Sequence, residues 1–114
     1  MIDVEIAEWL GWEKRDKYWV EPTGHLLLDN KDLVFSTNWS WCVRYILPTI
    51  LASPELVIAF YVGRNKTTAG IWGDAVNPPL GKGEATGFNL PAAFCEALSD
   101  MIGPQWEWEV VKKV

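Results

Sequence analysis

A run of almost uninterrupted apolar residues in the middle of the chain, Glu55 to Val62, places the strongest constraint on the fold. It is rich in β-branched and aromatic side chains, which is typical of a strand covered on both faces. Gly63 to Lys66 then has the character of a turn, and Thr67 to Trp72 has strand character again. The sequence therefore predicts an antiparallel hairpin whose turn carries Arg64 and Lys66.

Helical periodicity flanks this hairpin on both sides. Ser36, Thr37 and Asn38 are suitable N-caps, and Pro48 should end or kink the helix that follows near Leu47. The apolar stripe of that predicted helix consists of Trp39, Cys42, Val43, Ile46, Leu47 and Ile50. A first helix is predicted over Asp3 to Leu10, and a last one from the cap Asn89 to the stop at Gly103-Pro104.

Shorter strands complete the pattern. They are predicted at Tyr18 to Val20, Leu26 to Leu28 and Glu84 to Thr86, with a loop over Asn77 to Gly83 and an edge strand in the alternating tail around Trp106 and Trp108. With 114 residues, the chain has the size of one domain. We expect a single α+β domain over residues 1–114, with an antiparallel sheet layered with helices in an α-β-α sandwich-like arrangement.

Charge and hydropathy exclude several classes of partner. The net charge of −5 disfavours a protein that tracks the phosphates of DNA or RNA. The apolar stretch Leu56 to Val62 is too short to cross a membrane, and the acidic N-terminus does not look like a signal peptide. Cys42 and Cys95 lie in helical stripes without metal-ligand spacing, which predicts buried, reduced thiols and a cytoplasmic protein.

The chain offers few groups for catalysis. His25 is its only histidine, Asp74 lies among glycines as a turn former would, and Gly81-Lys82-Gly83 lacks the full spacing of a phosphate-binding loop. We therefore expect no catalytic residues, no metal site and no cofactor. A small enzyme that uses Asp74, Glu84 or His25 remains an alternative.

The aromatic residues are more informative. The eight tryptophans are Trp9, Trp12, Trp19, Trp39, Trp41, Trp72, Trp106 and Trp108, a number that is hard to bury in one small monomer and favours a homo-oligomer. Trp41 shares a helical face with Arg44 and Tyr45, outside the apolar stripe.

This second helical face suits a small anionic, nucleotide-like ligand. An indole can stack on a base, the guanidinium of Arg44 can pair with a phosphate, and the helix start at Ser36, Thr37 and Asn38 offers N–H donors. Further cations that could contact such an anion are Arg64, Lys66 and Lys82. The alternative is that the Trp41 face packs on a neighbouring subunit or on Trp106 and Trp108.

Three blocks of the sequence resemble a phage-encoded family, the phage ABA sandwich domain. They are Ile6-Ala7-Glu8-Trp9-Leu10-Gly11-Trp12, Phe35-Ser36-Thr37-Asn38-Trp39 and Ala85-Thr86-Gly87-Phe88-Asn89-Leu90-Pro91-Ala92-Ala93-Phe94-Cys95-Glu96-Ala97-Leu98. The resemblance implies helices layered over an antiparallel sheet and a phage origin. It implies no catalytic residue.

Together these features favour a phage accessory protein of the anti-defence type that binds without catalysing. We expect it to sequester a nucleotide-derived signal of host immunity, as a homo-oligomer in the cytoplasm of the infected bacterium. The alternative from another class is a protein–protein interaction module that docks through exposed tryptophans.

Overall fold

The computed structural model describes residues 2–16, 18–20, 26–27, 32–73 and 78–113, and of residues 26, 27 and 104–113 it describes the backbone alone. The helical elements are α1 (Ile2–Trp9), α2 (Trp39–Trp41), a π-helical segment (Cys42–Ile46), α3 (Leu47–Leu51) and α4 (Leu90–Lys113). The elements from α2 to α3 follow one another without a break. Among the predicted caps, Asn38 and Asn89 are confirmed, because their side chains accept hydrogen bonds from the backbone N–H groups of Trp41 and Ala92.

Two antiparallel sheets accompany these helices. The first contains β1 (Glu13–Arg15), β2 (Tyr18–Val20) and β3 (Leu26–Leu27), and the second contains β4 (Val57–Val62), β5 (Lys66–Trp72) and β6 (Gly81–Thr86), each in sequential order. The predicted hairpin is confirmed, although Lys66 already belongs to β5. The β6 strand begins earlier than the predicted loop allowed. The expected α+β class, an antiparallel sheet layered with helices in one domain, is confirmed.

One face of the second sheet, which we call the inner face, is covered by α4. Along β5 the inner face carries Thr67, Ala69 and Ile71, all of which are buried. Along β6 it carries Gly81 and Gly83, where an added Cβ would overlap the backbone of α4 at Ala97 and Ala93. These glycines allow the helix to approach the strand backbone directly, because no side chain separates them.

An aromatic cluster joins the helices to this inner face. The ring of Trp39 in α2 packs edge-on against Phe60 of β4 and against Phe94 of α4, with centroids 5.5 and 5.9 Å apart. Phe60 and Phe94 also contact each other at 5.7 Å. Such tilted contacts between large rings bury much apolar area and fix the angle between their elements.

The π-helical segment changes which residues of the central helix are buried. Cys42, Ile46 and Ile50 are buried, whereas Val43, expected on the buried stripe, is 47% exposed. The wider π turn, closed by the hydrogen bond from the Leu47 N–H to the Cys42 carbonyl, accounts for the difference. The buried residues Cys42, Ile46 and Ile50 are therefore each four positions apart. In a regular amphipathic α-helix the spacing between buried residues alternates between three and four positions. The expected burial of Val43 is therefore wrong.

The C-terminal tail is helical and does not form the predicted edge strand. The α4 backbone continues through Gly103 and Pro104 to Lys113, so the predicted stop is also wrong. Alternation over only six residues is a weak strand signal, and Glu, Trp and Lys are all compatible with a helix. None of the described helices is both long and apolar enough to cross a bilayer.

Candidate functional site

The second sheet has one face that no described helix covers, and we call it the open face. It carries the residues that alternate with the inner ones, and the register places Val57 opposite Trp72, Ala59 opposite Gly70 and Tyr61 opposite Thr68. Tyr61 is 63% exposed and Val57 is 47% exposed. The prediction that this strand is covered on both faces is therefore wrong for its outward residues.

A groove of about 470 Å³ runs along the open face. The residues that line it are Tyr61, Thr68, Ala69, Gly70, Trp72, Pro79 and Lys82. Its surface is mainly apolar, with two hydroxyl groups and one ammonium group. This size and this combination of an apolar lining with few polar groups are typical of small-molecule sites.

The floor of the groove depends on a glycine. The ring of Trp72 lies over Gly70, two residues earlier on the same face of β5, so that a Cβ at position 70 would overlap the six-membered part of the indole. Glycine in a strand interior weakens the strand, and it is found where another group must approach the backbone closely. Here the group that approaches is the indole of Trp72.

Lys82 supplies the positive charge of the groove. It lies on β6 directly opposite Gly70, and its side chain is exposed. Its backbone N–H donates a 3.0 Å hydrogen bond to the Asp100 carboxylate on α4. Because that bond uses the backbone, the ammonium group can still contact a ligand that lies on Trp72.

The expected Trp41, Arg44 and Tyr45 cluster does come together, but inside the packing of the fold. The ring of Trp41 contacts Phe35 at 5.0 Å, Tyr45 at 5.4 Å and Trp12 at 6.0 Å. The guanidinium of Arg44, an exposed residue, lies 5.4 Å from the centre of the Tyr45 ring. Trp41 is thus largely occupied by its neighbours, as expected for a residue that extends the core.

The donors at the helix start also have partners within the chain. The backbone N–H and the hydroxyl of Ser36 both donate to the buried carboxylate of Asp3, at 2.7 and 2.8 Å. The hydroxyl of Thr37 donates to the Val34 carbonyl at 3.4 Å, and the Asn38 side chain caps the helix. These groups therefore contact Asp3, Val34 and Trp41 within the chain, and the binding of an external anion at this helix start stays a prediction.

The predicted cations Arg64 and Lys66 lie outside the groove. Arg64 is exposed in the hairpin turn, and the ammonium of Lys66 lies 3.5 Å from the Glu84 carboxylate. Among the predicted site residues, Lys82 alone lines the groove. Of the three groups considered for catalysis, Glu84 is the partner of Lys66, and His25 and Asp74 lie outside the described residues.

The two cysteines form a buried pair. Their sulfur atoms are 3.9 Å apart, and the Cys42 thiol donates to the Phe35 carbonyl at 3.1 Å. The hydrogen bond with Cys42 and burial away from water both raise the pKa of the Cys95 thiol. The predicted burial is confirmed. Within the described part of the chain, no cluster of three His, Cys, Asp or Glu side chains could hold a metal.

Sequence reasoning missed Trp72, Tyr61 and Gly70 as site residues. A signal for them was present, because Gly70 and Trp72 are two apart in a predicted strand and so share a face. Five tryptophans lie in or against the core, namely Trp9, Trp12, Trp19, Trp39 and Trp41. Trp72 lies on the opposite side of the sheet.

Comparison with protein-family models, curated proteins and solved structures gives no match to this chain. The resemblance to the phage ABA sandwich domain therefore stays a prediction from the three sequence blocks.

Proposed function

We propose that this protein binds a small ligand in the groove on the open face, and that the ligand combines a planar ring with an anionic group, as a nucleotide does. The observation that carries the proposal is the placement of Trp72 over Gly70 with Lys82 directly across from that glycine. A ring stacked on the indole would extend its charged substituent toward the neighbouring strand.

The expected energies suit a small ligand. Stacking of one base on an aromatic side chain contributes about 1–3 kcal/mol, and a charge-assisted hydrogen bond from Lys82 about 1.5–3 kcal/mol. Apolar contact with Tyr61 and Pro79 adds to both. A nucleic-acid polymer fits less well, because its affinity depends on many phosphate contacts and the chain carries a net charge of −5.

We further propose that binding sequesters the ligand without converting it. The resemblance to a phage-encoded family supports a role against host defence, in which the ligand is a nucleotide-derived immune signal in the cytoplasm of the infected cell. The groove supports this role with hydroxyl groups from Tyr61 and Thr68 and the ammonium of Lys82, which are suited to holding a ligand.

The direct test is calorimetric titration with a panel of linear and cyclic nucleotides and ADP-ribose. Adenosine and ribose 5-phosphate, which each lack one half of the proposed ligand, serve as comparison ligands. We expect Trp72→Ala and Lys82→Ala each to weaken binding about five- to a hundredfold, with an unchanged melting temperature. Lys66→Ala removes a charge from the same sheet outside the groove and should leave the affinity unchanged.

Two results would contradict the proposal. One is that no member of the panel binds the wild-type protein, and the other is that Trp72→Ala and Lys82→Ala bind as the wild type does. Recovery of the bound ligand after denaturation separates sequestration from catalysis, because a sequestering protein releases it with its mass unchanged.

Docking of a partner protein is the second candidate function. Three large apolar residues near the groove are exposed. Val57 and Tyr61 lie on β4, and Leu80 directly precedes β6. Exposed aromatic and aliphatic residues of this kind are common at the centres of protein interfaces. If Trp72→Ala abolishes capture of a protein from host extract but the panel of small ligands shows no binding, the docking function replaces the first.

A further inference from the structure

The second sheet has two edge strands of opposite character. In the order β4-β5-β6, β4 and β6 are the edges. Strand β6 carries Lys82 and Glu84, charged residues of the kind that discourage pairing with another chain. Strand β4 has the sequence Val-Ile-Ala-Phe-Tyr-Val, without a charge or a proline. By that criterion β4 is unprotected in the part of the chain that the structure describes.

The backbone of β4 has groups directed to this edge. The Gly63 N–H donates to the Lys66 carbonyl at 2.8 Å, which fixes the phase of the hydrogen bonds between β4 and β5. In an antiparallel pair every second residue of a strand directs its N–H and C=O groups toward the partner strand. Gly63 is one of these residues. Ile58, Phe60 and Val62 lie an odd number of positions from it and therefore direct their N–H and C=O groups away from β5. Each of these residues thus presents one donor and one acceptor to a further strand.

We propose that the β4 edge pairs with the β4 edge of a second copy of this chain, to form a homodimer with a continuous six-stranded antiparallel sheet. A two-fold axis perpendicular to the sheet makes the strands antiparallel and keeps both open faces on one side. Opposed residues must then lie on the same face, so the axis passes beside a residue and not between two. The paired stretch of β4 is longest when that residue is Ala59 or Phe60. With the axis at Phe60 the groups of Ile58, Phe60 and Val62 all meet those of the second copy, and with the axis at Ala59 those of Ile58 and Phe60 do.

The charges at the two ends of β4 favour this self-pairing. Glu55 lies just before the strand and Arg64 just after it, and both are exposed. With the axis at Ala59, Glu55 is opposite Gly63 of the second copy, and with the axis at Phe60 it is opposite Asn65. In each case Arg64 of the second copy is the adjacent residue. Each Glu55 therefore lies one position away from being opposite the Arg64 of the second copy, so opposite charges lie within one residue of each other at both ends of the seam.

Analytical ultracentrifugation at micromolar concentrations tests the proposal. The wild-type mass should be twice 12.9 kDa. Val62→Lys places a charge on the exposed end of the edge strand and should raise the dimer dissociation constant at least about tenfold. Thr86→Lys adds the same charge at an exposed position of β6 and should leave the dissociation constant unchanged.

A charge exchange tests the antiparallel register independently of any effect of Val62→Lys on folding. Glu55→Arg and Arg64→Glu should each weaken the dimer about two- to fivefold at low salt, and the double variant should restore it. A wild-type protein that sediments as a monomer would overturn the proposal. So would a dimer in which Val62→Lys has no effect or in which the double variant shows no recovery.

Discussion

The indole of Trp72 lies over Gly70, so the orientation of the ring depends on the absence of a side chain at position 70. In Gly70→Ala the new methyl group would displace the ring. We expect ligand affinity to fall about five- to a hundredfold, as for Trp72→Ala, because the stacking surface is lost.

Calorimetry of Gly70→Ala with the ligand that binds the wild type best measures this effect. Gly63→Ala is the matched control, because its Cβ would meet the Lys66 carbonyl oxygen at an ordinary 3.4 Å and lies outside the groove. Equal affinities for Gly70→Ala and Gly63→Ala would show that the position of Trp72 does not determine binding.

The second prediction concerns Asp3, whose carboxylate holds the start of the central helix through Ser36. Asp3→Ala leaves a backbone N–H and a hydroxyl without their partner in a part-buried place, and should lower the free energy of unfolding by about 2–4 kcal/mol. Glu5→Ala removes an exposed hydrogen bond from Ser99 and should cost at most about 1 kcal/mol. Urea denaturation of the two variants gives the comparison, and equal losses would contradict it.

The third prediction follows from the π-helical segment. Val43→Asp should change the free energy of unfolding by no more than about 0.5 kcal/mol, because Val43 is exposed. Ile46→Asp should prevent folding, because it buries an unpaired carboxylate. Circular dichroism and thermal melting distinguish the two variants. An unfolded Val43→Asp protein would mean that the helix has ordinary α-helical phase.

The fourth prediction uses two glycines in different surroundings. At Gly83 a methyl group would overlap backbone atoms of Ala93 and Ala97, which cannot rotate away, so Gly83→Ala should destabilise the fold by about 1–3 kcal/mol. At Gly103 nothing lies within 4 Å of the added atom. Gly103→Ala should therefore stabilise the fold by about 0.5–1 kcal/mol through helix propensity. If the melting temperatures of Gly83→Ala and Gly103→Ala both rise or both fall, the prediction is wrong.

The fifth prediction concerns the buried thiols. Iodoacetamide should modify neither cysteine in the native protein and both in urea, as measured by mass spectrometry. Because the pKa of Cys95 is raised in the folded state, its thiol stays protonated there while the unfolded thiol ionises near its ordinary pKa of 9.0. The unfolded state then gains stability, and the free energy of unfolding falls as the pH rises above that value. Cys95→Ala should show a shallower fall.

The sequence predicted the order of the main elements because each has a strong local signal. Asn38 and Asn89 are good caps, and the hairpin from β4 to β5 follows from composition. Periodicity failed at Val43. Pro48 predicts an irregularity near Leu47, but the sequence does not show that the helix takes π geometry over Cys42–Ile46 and leaves Val43 exposed. Periodicity failed again for the tail, where a short alternation suits both a strand and a helix.

The site could be predicted only in part. Lys82 was identified as a cation in a glycine-rich segment, but its partners depend on the register of three strands. The open face could not be foreseen, because an apolar strand has the same sequence whether its second face is covered or not. The sequence does not show that Trp41 packs against Phe35 or that Ser36 donates to Asp3, because both contacts arise from tertiary packing.

The contact between α1 and α4 has a consequence for how the chain folds. These helices, eighty residues apart in sequence, pack on each other, and α4 also covers β5 and β6. The inner faces of β5 and β6 therefore lack the cover that α4 provides until this last described helix has formed. Folding cannot be completed segment by segment along the chain, and loop closure over this distance should limit its rate.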